Sequence, residues 1–139
     1  FANCPFPNTP LFTHVPPVDE KELTNYYAKA KVFVLPSRAE GLALVLAQAV
    51  VSGLPVVYSK DTGGHDIKKL IEPKGDFMFE MESFSEESLK ACIEKALMAY
   101  QNQPDGVPRN YTVPQKLEKL TWTAYGQRYE TLFDKLIHE

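Results

Sequence analysis

A short segment between two apolar runs, Pro36 to Leu42, brings together residue types that could bind a phosphorylated ligand. It contains a cation, Arg38, a carboxylate, Glu40, and then Gly41, whose missing side chain allows a ligand to approach the main chain closely. The apolar run that follows predicts a helix, and the first turn of a helix offers unpaired N–H groups and the positive end of a dipole. Phosphate is the ligand that such a turn favours, although a glycine at a strand-to-helix turn is a weak signal by itself.

The elements on either side of this segment alternate between strand and helix. Asp19, with Glu22 three residues later, is typical of a helix N-terminus, and Gly53 is typical of a residue that ends a helix. The alternation predicts an α/β fold, a Rossmann-like parallel sheet flanked by helices with right-handed crossovers. The predicted elements are strands at 11–15, 32–35, 55–58 and 76–79 and helices at 20–30, 42–51, 85–99 and 116–137.

Ligands of open α/β sheets bind outside the carboxyl ends of the strands. Two predicted loops occupy such positions, the segment described above and a second loop at 59–64. We expect Thr62, Gly63 and Gly64 of the second loop to line the ligand cleft, with a simple turn as the alternative. The same two alternatives, ligand contact or a local role, are open in the first loop. Ser37 could merely cap its turn, and Arg38 could be an exposed cation.

Apolar spacing predicts which faces are buried and where the domain ends. The run 42–51 is apolar nearly all round, as in a buried helix, and 32–35 is a continuous apolar run typical of a strand covered on both faces. We expect one partial domain at 1–100, a linker at 101–115 and a final helix at 116–139 that packs on this domain or toward another. The predicted inner faces comprise Leu89, Cys92, Ile93, Ala96 and Leu97 in one helix and Leu117, Leu120, Tyr125, Tyr129, Leu132, Phe133 and Leu136 in the last.

Composition limits the function classes. The 139 residues are 44% hydrophobic and 24% charged, with a net charge of −3 and no basic stripe, so we expect no nucleic-acid partner. The two cysteines, Cys4 and Cys92, have no metal-binding or redox spacing, no metal cluster is evident, and the longest apolar run is too short to span a bilayer. The opening without methionine leads us to expect a piece of a longer, cytoplasmic protein, with peripheral contact of that protein with the inner face of a membrane left open.

Four blocks of sequence carry a resemblance to a known family. Val32-Phe33-Val34-Leu35-Pro36-Ser37-Arg38-Ala39-Glu40-Gly41-Leu42-Ala43-Leu44, followed by Gln48-Ala49, Gly53-Leu54-Pro55-Val56-Val57 and Gly63-Gly64, resembles the core signature of family 4 glycosyltransferases, also called glycosyltransferase group 1. The resemblance extends over residues 11–137. It implies a GT-B fold, two Rossmann-like domains with the site in the cleft between them. This chain would be the C-terminal, donor-binding half, incomplete at its N-terminal side and without the domain that holds the acceptor.

The resemblance also implies a role for each matching residue. Glu40 begins the family's E-x7-E motif and would accept hydrogen bonds from hydroxyls of the donor sugar. The main-chain N–H groups of residues 41–44 (Gly41, Leu42, Ala43 and Leu44) would hold the diphosphate, and Gln48 stands where the family has a second Glu that accepts the ribose hydroxyls. Eight residues of helix span roughly 12 Å, about the separation of sugar and ribose across a diphosphate. The complete candidate set has Glu40 as the catalytic residue, and its residues for binding the donor and its nucleotide are Ser37, Arg38, Gly41, Leu42, Ala43, Leu44, Gln48, Gly63 and Gly64.

Gln48 departs from the family pattern and keeps several functions open. A neutral amide loses a charge-assisted bond worth about 1–2 kcal/mol, which corresponds to roughly tenfold weaker donor binding. The first hypothesis is a retaining hexosyltransferase that uses a nucleotide-diphosphate sugar and needs no cofactor or metal, in glycan or polysaccharide biosynthesis. The alternatives are a non-catalytic GT-B-like binding or assembly module and a sugar-nucleotide epimerase. The upstream Arg and Lys that meet the diphosphate in the family are missing, so we expect this chain alone to bind a donor weakly and transfer nothing.

Overall fold

A computed structural model of the chain describes residues 10–41, 44–71, 77–102 and 122–137. Within these ranges the fold is α/β, with a three-stranded parallel sheet and flanking helices, as the alternation of elements predicts. The helices are α1 (Glu20–Lys29), α2 (Leu44–Val51), α3 (Gly64–Ile71), α4 (Glu86–Gln101) and α5 (Trp122–Ile137), and the strands are β1 (Phe33–Leu35), β2 (Val56–Tyr58) and β3 (Met78–Glu80), with a 3-10 turn at Lys60–Thr62.

Local hydrogen bonds explain where the helices begin and end. The Asp19 carboxylate accepts from the Glu22 N–H at 2.8 Å and caps α1. The Ser85 hydroxyl oxygen accepts from the Ser88 N–H at 3.2 Å and caps α4. Gly53, with φ of 75°, adopts the left-handed conformation just after α2 that favours glycine. The predicted helix start at Asp19 and helix end at Gly53 are confirmed.

The sheet has the order β1-β2-β3, and its register aligns Val34 with Val57 and Val57 with Phe79. All three residues of the central strand β2 are buried. The residues of β1 are only half-buried, because β1 is the edge of the sheet formed by the described residues. Both faces are nevertheless covered in part, because Phe33 and Leu35 pack against one core cluster and Val32 and Val34 pack against the other. The expectation that 32–35 is covered on both faces is therefore confirmed in part.

The core lies on both faces of β2. On one face α1, α2 and α3 contribute Tyr27, Leu46, Ala49 and Ile67, which pack with Val56. The opposite face is smaller and is covered by α4; it holds Val57, Met81, Cys92 and Ala96, with Leu89 and Ile93 partly buried beside them. This arrangement fixes the orientation of the sheet, and with it the edge from which the candidate loops emerge.

Three predictions about burial and structure are wrong. Residues 11–15 form no strand, because a strand needs a partner for its main-chain groups and the described sheet pairs β1, β2 and β3 alone; Leu11 is 97% exposed. Helix α2 is not buried all round, since its apolar outward face includes Leu44, Val45 and Val51. Helix α5 leaves its predicted inner face at least 45% exposed, at Tyr129, Leu132, Phe133 and Leu136.

Part of the sequence prediction lies outside the described residues. This applies to most of the predicted linker, to Leu117 and Leu120, and to the start of the predicted final helix, of which 122–137 is described. The proposed boundaries at 100 and 115 stay predictions. None of the described helices combines the length and hydrophobicity that crossing a bilayer requires.

Candidate functional site

The carboxyl ends of the three parallel strands lie at one edge of the sheet, where each strand passes into a loop. The loops begin after Leu35, Tyr58 and Glu80, and all three contribute to one cavity of about 340 Å³. That volume is at the lower end of the range for small-molecule sites. The lining residues are Ser37, Arg38, Ser59, Lys60, Asp61, Met81, Glu82, Ser83 and Phe84. The sequence predicts two of these loops as ligand-binding and misses the third.

The first two loops are joined by hydrogen bonds. The Ser59 hydroxyl donates to the carbonyl oxygen of Ser37, and the Ser59 N–H donates to the carbonyl oxygen of Leu35 at 3.3 Å. Further along, the Glu40 N–H donates to the carbonyl oxygen of Asp61 at 2.8 Å. The loop after β1 is thus held against the loop after β2 at both of its ends.

Glu40, the predicted catalytic residue, lies beside the cavity and is connected to two of the residues that line it. Its main chain bonds to Asp61, and its Oε1 atom accepts a hydrogen bond from the Ser37 hydroxyl at 3.0 Å. The side chain is exposed. An ionised carboxylate can accept about four hydrogen bonds, so a positioned Glu40 retains the capacity to accept from sugar hydroxyls. Ser37 orients this carboxylate and also lines the cavity. It therefore does more than cap a turn, which was its alternative role.

Arg38 bridges the first loop to the third. Its guanidinium carbon lies 4.8 Å from the centroid of the Phe84 ring, a cation–π geometry. The two side chains form part of the cavity wall. Phe84 stands between two serines that read as a turn and a helix cap, so the sequence pattern gives no sign that its ring faces a site.

The glycines at the edge of the sheet differ in role. Gly63 adopts the left-handed conformation with φ of 70°, and Gly64 begins α3 directly against the ring of Tyr58. A Cβ atom at Gly64 would lie 2.3 Å from Cδ2 of that ring, so this glycine is required for packing. A Cβ atom at Gly41 would meet nothing within 4 Å. Gly41 thus lies beside open space and Gly64 is packed against a side chain, and the expectation that Gly63 and Gly64 line the cleft stays a prediction.

The start of α2 is described from Leu44 onward; Leu42 and Ala43 lie outside the described residues. One turn beyond Leu44, the Oε1 atom of Gln48 accepts a hydrogen bond from the Tyr27 hydroxyl at 3.5 Å. Burial raises the pKa of Tyr27, so this phenol is protonated and able to donate at neutral pH. Gln48 therefore has a partner within the fold, and its predicted contact with ribose stays a prediction.

A second polar cluster at the same edge of the sheet is absent from the sequence prediction. The Tyr58 hydroxyl donates to Glu80 Oε2 at 3.1 Å, and His65 Nδ1 lies 3.6 Å from the same oxygen. Burial, the Glu80 charge and this hydrogen bond all raise the pKa of Tyr58. The thiol of Cys92 donates to the Glu80 carbonyl oxygen at 3.4 Å, and burial raises its pKa, which fits the predicted role of a small core residue. The described residues contain no group of three or more His, Cys, Asp and Glu side chains placed to hold a metal ion.

Comparison with known proteins identifies the family. The model of the family "Glycosyl transferases group 1" matches residues 8–98, which include the cavity and both predicted loops. The chain is 32% identical over 120 residues to a sulfoquinovosyl transferase of Arabidopsis thaliana, covering 82% of this chain and 22% of that protein.

Two bacterial proteins match shorter segments. An uncharacterized glycosyltransferase of Haemophilus influenzae is 35% identical over 66 residues, 47% of this chain and 18% of that protein. A D-inositol 3-phosphate glycosyltransferase of an Arthrobacter species is 41% identical over 53 residues, 38% of this chain and 13% of that protein. The chain thus spans about a fifth or less of the length of these relatives, and no solved structure matches it significantly. On the extent of the family match, the chain belongs to the group 1 glycosyltransferases.

Proposed function

We propose that this chain is the donor-binding part of a retaining glycosyltransferase, which transfers a sugar from a nucleotide-diphosphate sugar to an acceptor hydroxyl. The observation that carries the proposal is the convergence of three strand-end loops on one cavity, with the Glu40 carboxylate fixed beside it. The relatives' names specify different substrates, a sulfoquinovosyl group in one and D-inositol 3-phosphate in another. We therefore propose a reaction class, in glycan or polysaccharide biosynthesis, and no particular sugar.

In this proposal Glu40 accepts hydrogen bonds from hydroxyls of the donor sugar at the mouth of the cavity. The diphosphate lies at the start of α2, on the N–H groups of residues 41–44, where the helix dipole favours negative charge. Negative charge grows on the leaving diphosphate as the bond to the sugar breaks. Donors that are already in place stabilise that charge without reorganisation, and this is the main catalytic contribution that we assign to the chain.

The acceptor and the remaining phosphate contacts belong to a domain outside this chain. The acceptor hydroxyl attacks the anomeric carbon on the same face from which the diphosphate leaves, which retains the configuration. We accordingly expect the complete protein to be cytoplasmic and to transfer the sugar. The isolated chain should bind donors weakly and transfer nothing.

The first experiment tests Glu40 in the complete protein. Release of the nucleoside diphosphate is measured with UDP-glucose, UDP-galactose, GDP-mannose and ADP-glucose, with and without added acceptor glycans. Glu40→Ala should reduce kcat/KM by about a hundredfold, because one lost hydrogen bond from a charged group is worth about 1.5–3 kcal/mol. The side chain is exposed, so the melting temperature should not change.

The matched control is Glu94→Ala, which removes an exposed glutamate from the outer surface of α4. This variant should retain wild-type turnover. Equal turnover in the two variants would refute the assignment of Glu40 to the donor sugar. Turnover that needs no acceptor and converts one sugar nucleotide to another would favour an epimerase.

A second candidate is a non-catalytic binding or assembly module. The observation that favours it is the hydrogen bond from Tyr27 to Gln48, which gives the amide a structural role at the position expected to hold ribose. Titration of the complete protein with UDP, GDP and ADP in a calorimeter distinguishes the two proposals. Binding of one nucleotide supports the transferase, and the absence of heat with all three supports the module.

A further inference from the structure

Two buried hydroxyl groups lie beneath the candidate site. Ser59 is 5% exposed and Thr62 is fully buried, and both belong to the loop that follows β2. Burying a hydroxyl without a hydrogen-bond partner costs free energy, and an apolar side chain of similar size avoids that cost. A buried hydroxyl is therefore informative about what it bonds to.

The partners of these hydroxyls lead stepwise to Glu40. Thr62 Oγ1 donates to the carbonyl oxygen of Ser59 at 2.6 Å. The Ser59 hydroxyl donates to the carbonyl oxygen of Ser37, in the neighbouring loop. The Ser37 hydroxyl then donates to Glu40 Oε1 at 3.0 Å. Three consecutive hydrogen bonds thus connect a fully buried threonine to an exposed carboxylate.

A second connection runs through the main chain. The 3-10 turn at 60–62 contains one non-helical residue, Asp61, with φ of −95° and ψ of 41°. This turn presents the Asp61 carbonyl oxygen to the Glu40 N–H at 2.8 Å. The Thr62 hydroxyl bonds back across the same turn and closes it. The turn therefore holds Glu40 by its main chain while the chain of hydroxyls holds it by its side chain.

We propose that Thr62 and Ser59 are positioning residues that fix the Glu40 carboxylate for the donor sugar. The inference rests on the proposed function, because it assigns these hydroxyls to the same site. Neither residue needs to touch the substrate: Thr62 is fully buried, and Ser59 bonds to the main chain of the loop that carries Glu40. A displacement of about 1 Å at a reacting centre can reduce a rate about a hundredfold, so a buried hydrogen bond can control activity at a distance.

The test is a pair of substitutions at Thr62 in the complete protein. Thr62→Val preserves the shape of the side chain and removes its hydroxyl, and Thr62→Ser keeps the hydroxyl. We expect Thr62→Val to lower kcat by about tenfold to a hundredfold with KM little changed, and Thr62→Ser to restore kcat. Turnover is measured with the four sugar nucleotides named above, using whichever supports the highest wild-type rate.

Thr131→Val is the matched control. Thr131 also donates its hydroxyl to a main-chain carbonyl, that of Gln127 at 2.8 Å, but it is exposed on α5. The control should leave kcat unchanged. Suppose that Glu40→Ala loses activity but Thr62→Val has the same kcat as Thr131→Val. That result would overturn the inference and leave the proposed function standing. Wild-type activity of Glu40→Ala would overturn both.

A double-mutant cycle separates positioning from general destabilisation. In a Glu40→Ala background Thr62→Val should reduce kcat no further, because the carboxylate that it positions is gone. If Thr62→Val lowered kcat in the Glu40→Ala background by the same factor as in the wild type, the positioning role would be refuted.

Hydrogen exchange of a peptide covering 36–41 gives a readout without substrate. Thr62→Val should accelerate exchange of the Glu40 amide, and unchanged exchange would count against the inference. Should Thr62→Val fail to fold, Ser59→Ala takes its place with the same expected results.

Discussion

Two glycine-containing turns leave the same edge of the sheet, and they serve different purposes. Gly41 stands before α2 with open space around it, whereas Gly64 begins α3 in contact with the Tyr58 ring. In sequence the two turns look alike, because each places a glycine in a loop that follows an apolar strand. The structure places one beside open space and the other against the core. The comparison shows that a glycine in such a turn leaves room for a close neighbour. Only the three-dimensional structure shows whether a side chain of the protein occupies that room.

The largest expected effect tests this contrast directly. Gly64→Ala forces a methyl group into the Tyr58 ring and should lower the free energy of unfolding by about 3 kcal/mol, at the upper end of the usual cost of overpacking. Gly41→Ala should change it by less than about 0.5 kcal/mol, as is usual at exposed positions. Urea denaturation of both variants provides the measurement. Similar free energies of unfolding for the two variants would show that Gly64 is no more tightly packed than Gly41.

The second prediction concerns the Tyr58 side chain, which contacts Gly64 with its ring and Glu80 with its hydroxyl. Tyr58→Phe keeps the ring and removes the hydrogen bond, so the loss of stability should be about 1 kcal/mol, smaller than that of Gly64→Ala. The unfolded-state pKa of tyrosine is about 10. In the folded protein the pKa of Tyr58 is raised, so the native state binds more protons than the unfolded state above that pH.

It follows that the stability contributed by Tyr58 is fully present below about pH 10 and is lost as the pH rises toward the folded-state pKa. Unfolding free energies measured between neutral pH and pH 11 should therefore fall less steeply for Tyr58→Phe than for the wild type. Tyr27, whose pKa is also raised by burial, is unchanged in both proteins and serves as an internal control. Parallel pH profiles would mean that the pKa of Tyr58 is not raised in the folded protein.

The last prediction concerns affinity, at Gln48 in the helix that follows Gly41. Gln48→Glu supplies a carboxylate at the position predicted to accept the ribose hydroxyls. If the helix after Gly41 carries the diphosphate, UDP, GDP or ADP should bind about tenfold more tightly to this variant of the complete protein, as calorimetry would measure. Unaltered affinity for all three nucleotides would mean that Gln48 does not contact the nucleotide. It would support the interpretation that Gln48 has a structural role as the hydrogen-bond partner of Tyr27.

Much of the fold was predictable because its determinants are local. Asp19 and Ser85 cap helices within three residues of their partners, and Gly53 ends α2 by its own backbone conformation. Parallel pairing follows from the alternation of strands and helices. The strand expected at 11–15 fails because pairing depends on a neighbour, which local sequence does not supply.

The site was only partly predictable. Ser37 and Arg38 were found because they adjoin a recognisable turn, and both line the cavity. Ser59 and Phe84 were missed because their roles depend on contacts between loops more than twenty residues apart in sequence. Thr62 was expected either to line the cleft or to form a turn, and its buried hydroxyl bonds back across its own turn. The apolar pattern of α5 correctly predicts a helix but says nothing about what, if anything, covers it. Tertiary contacts of this kind leave no periodic signal in a single sequence.

The contact between Arg38 and Phe84 has a kinetic consequence. An exposed cation–π pair is worth about 0.5–1 kcal/mol, which makes the paired state only about two to five times as populated as the separated one. Exposed side chains and loops exchange between such states in nanoseconds to microseconds. That is far faster than a typical enzymatic turnover of about 10 per second, so the Arg38–Phe84 contact would break and re-form many times within a step of that length. Under the proposed function, this side of the cavity would adjust to sugars of different size without limiting how fast they enter or leave.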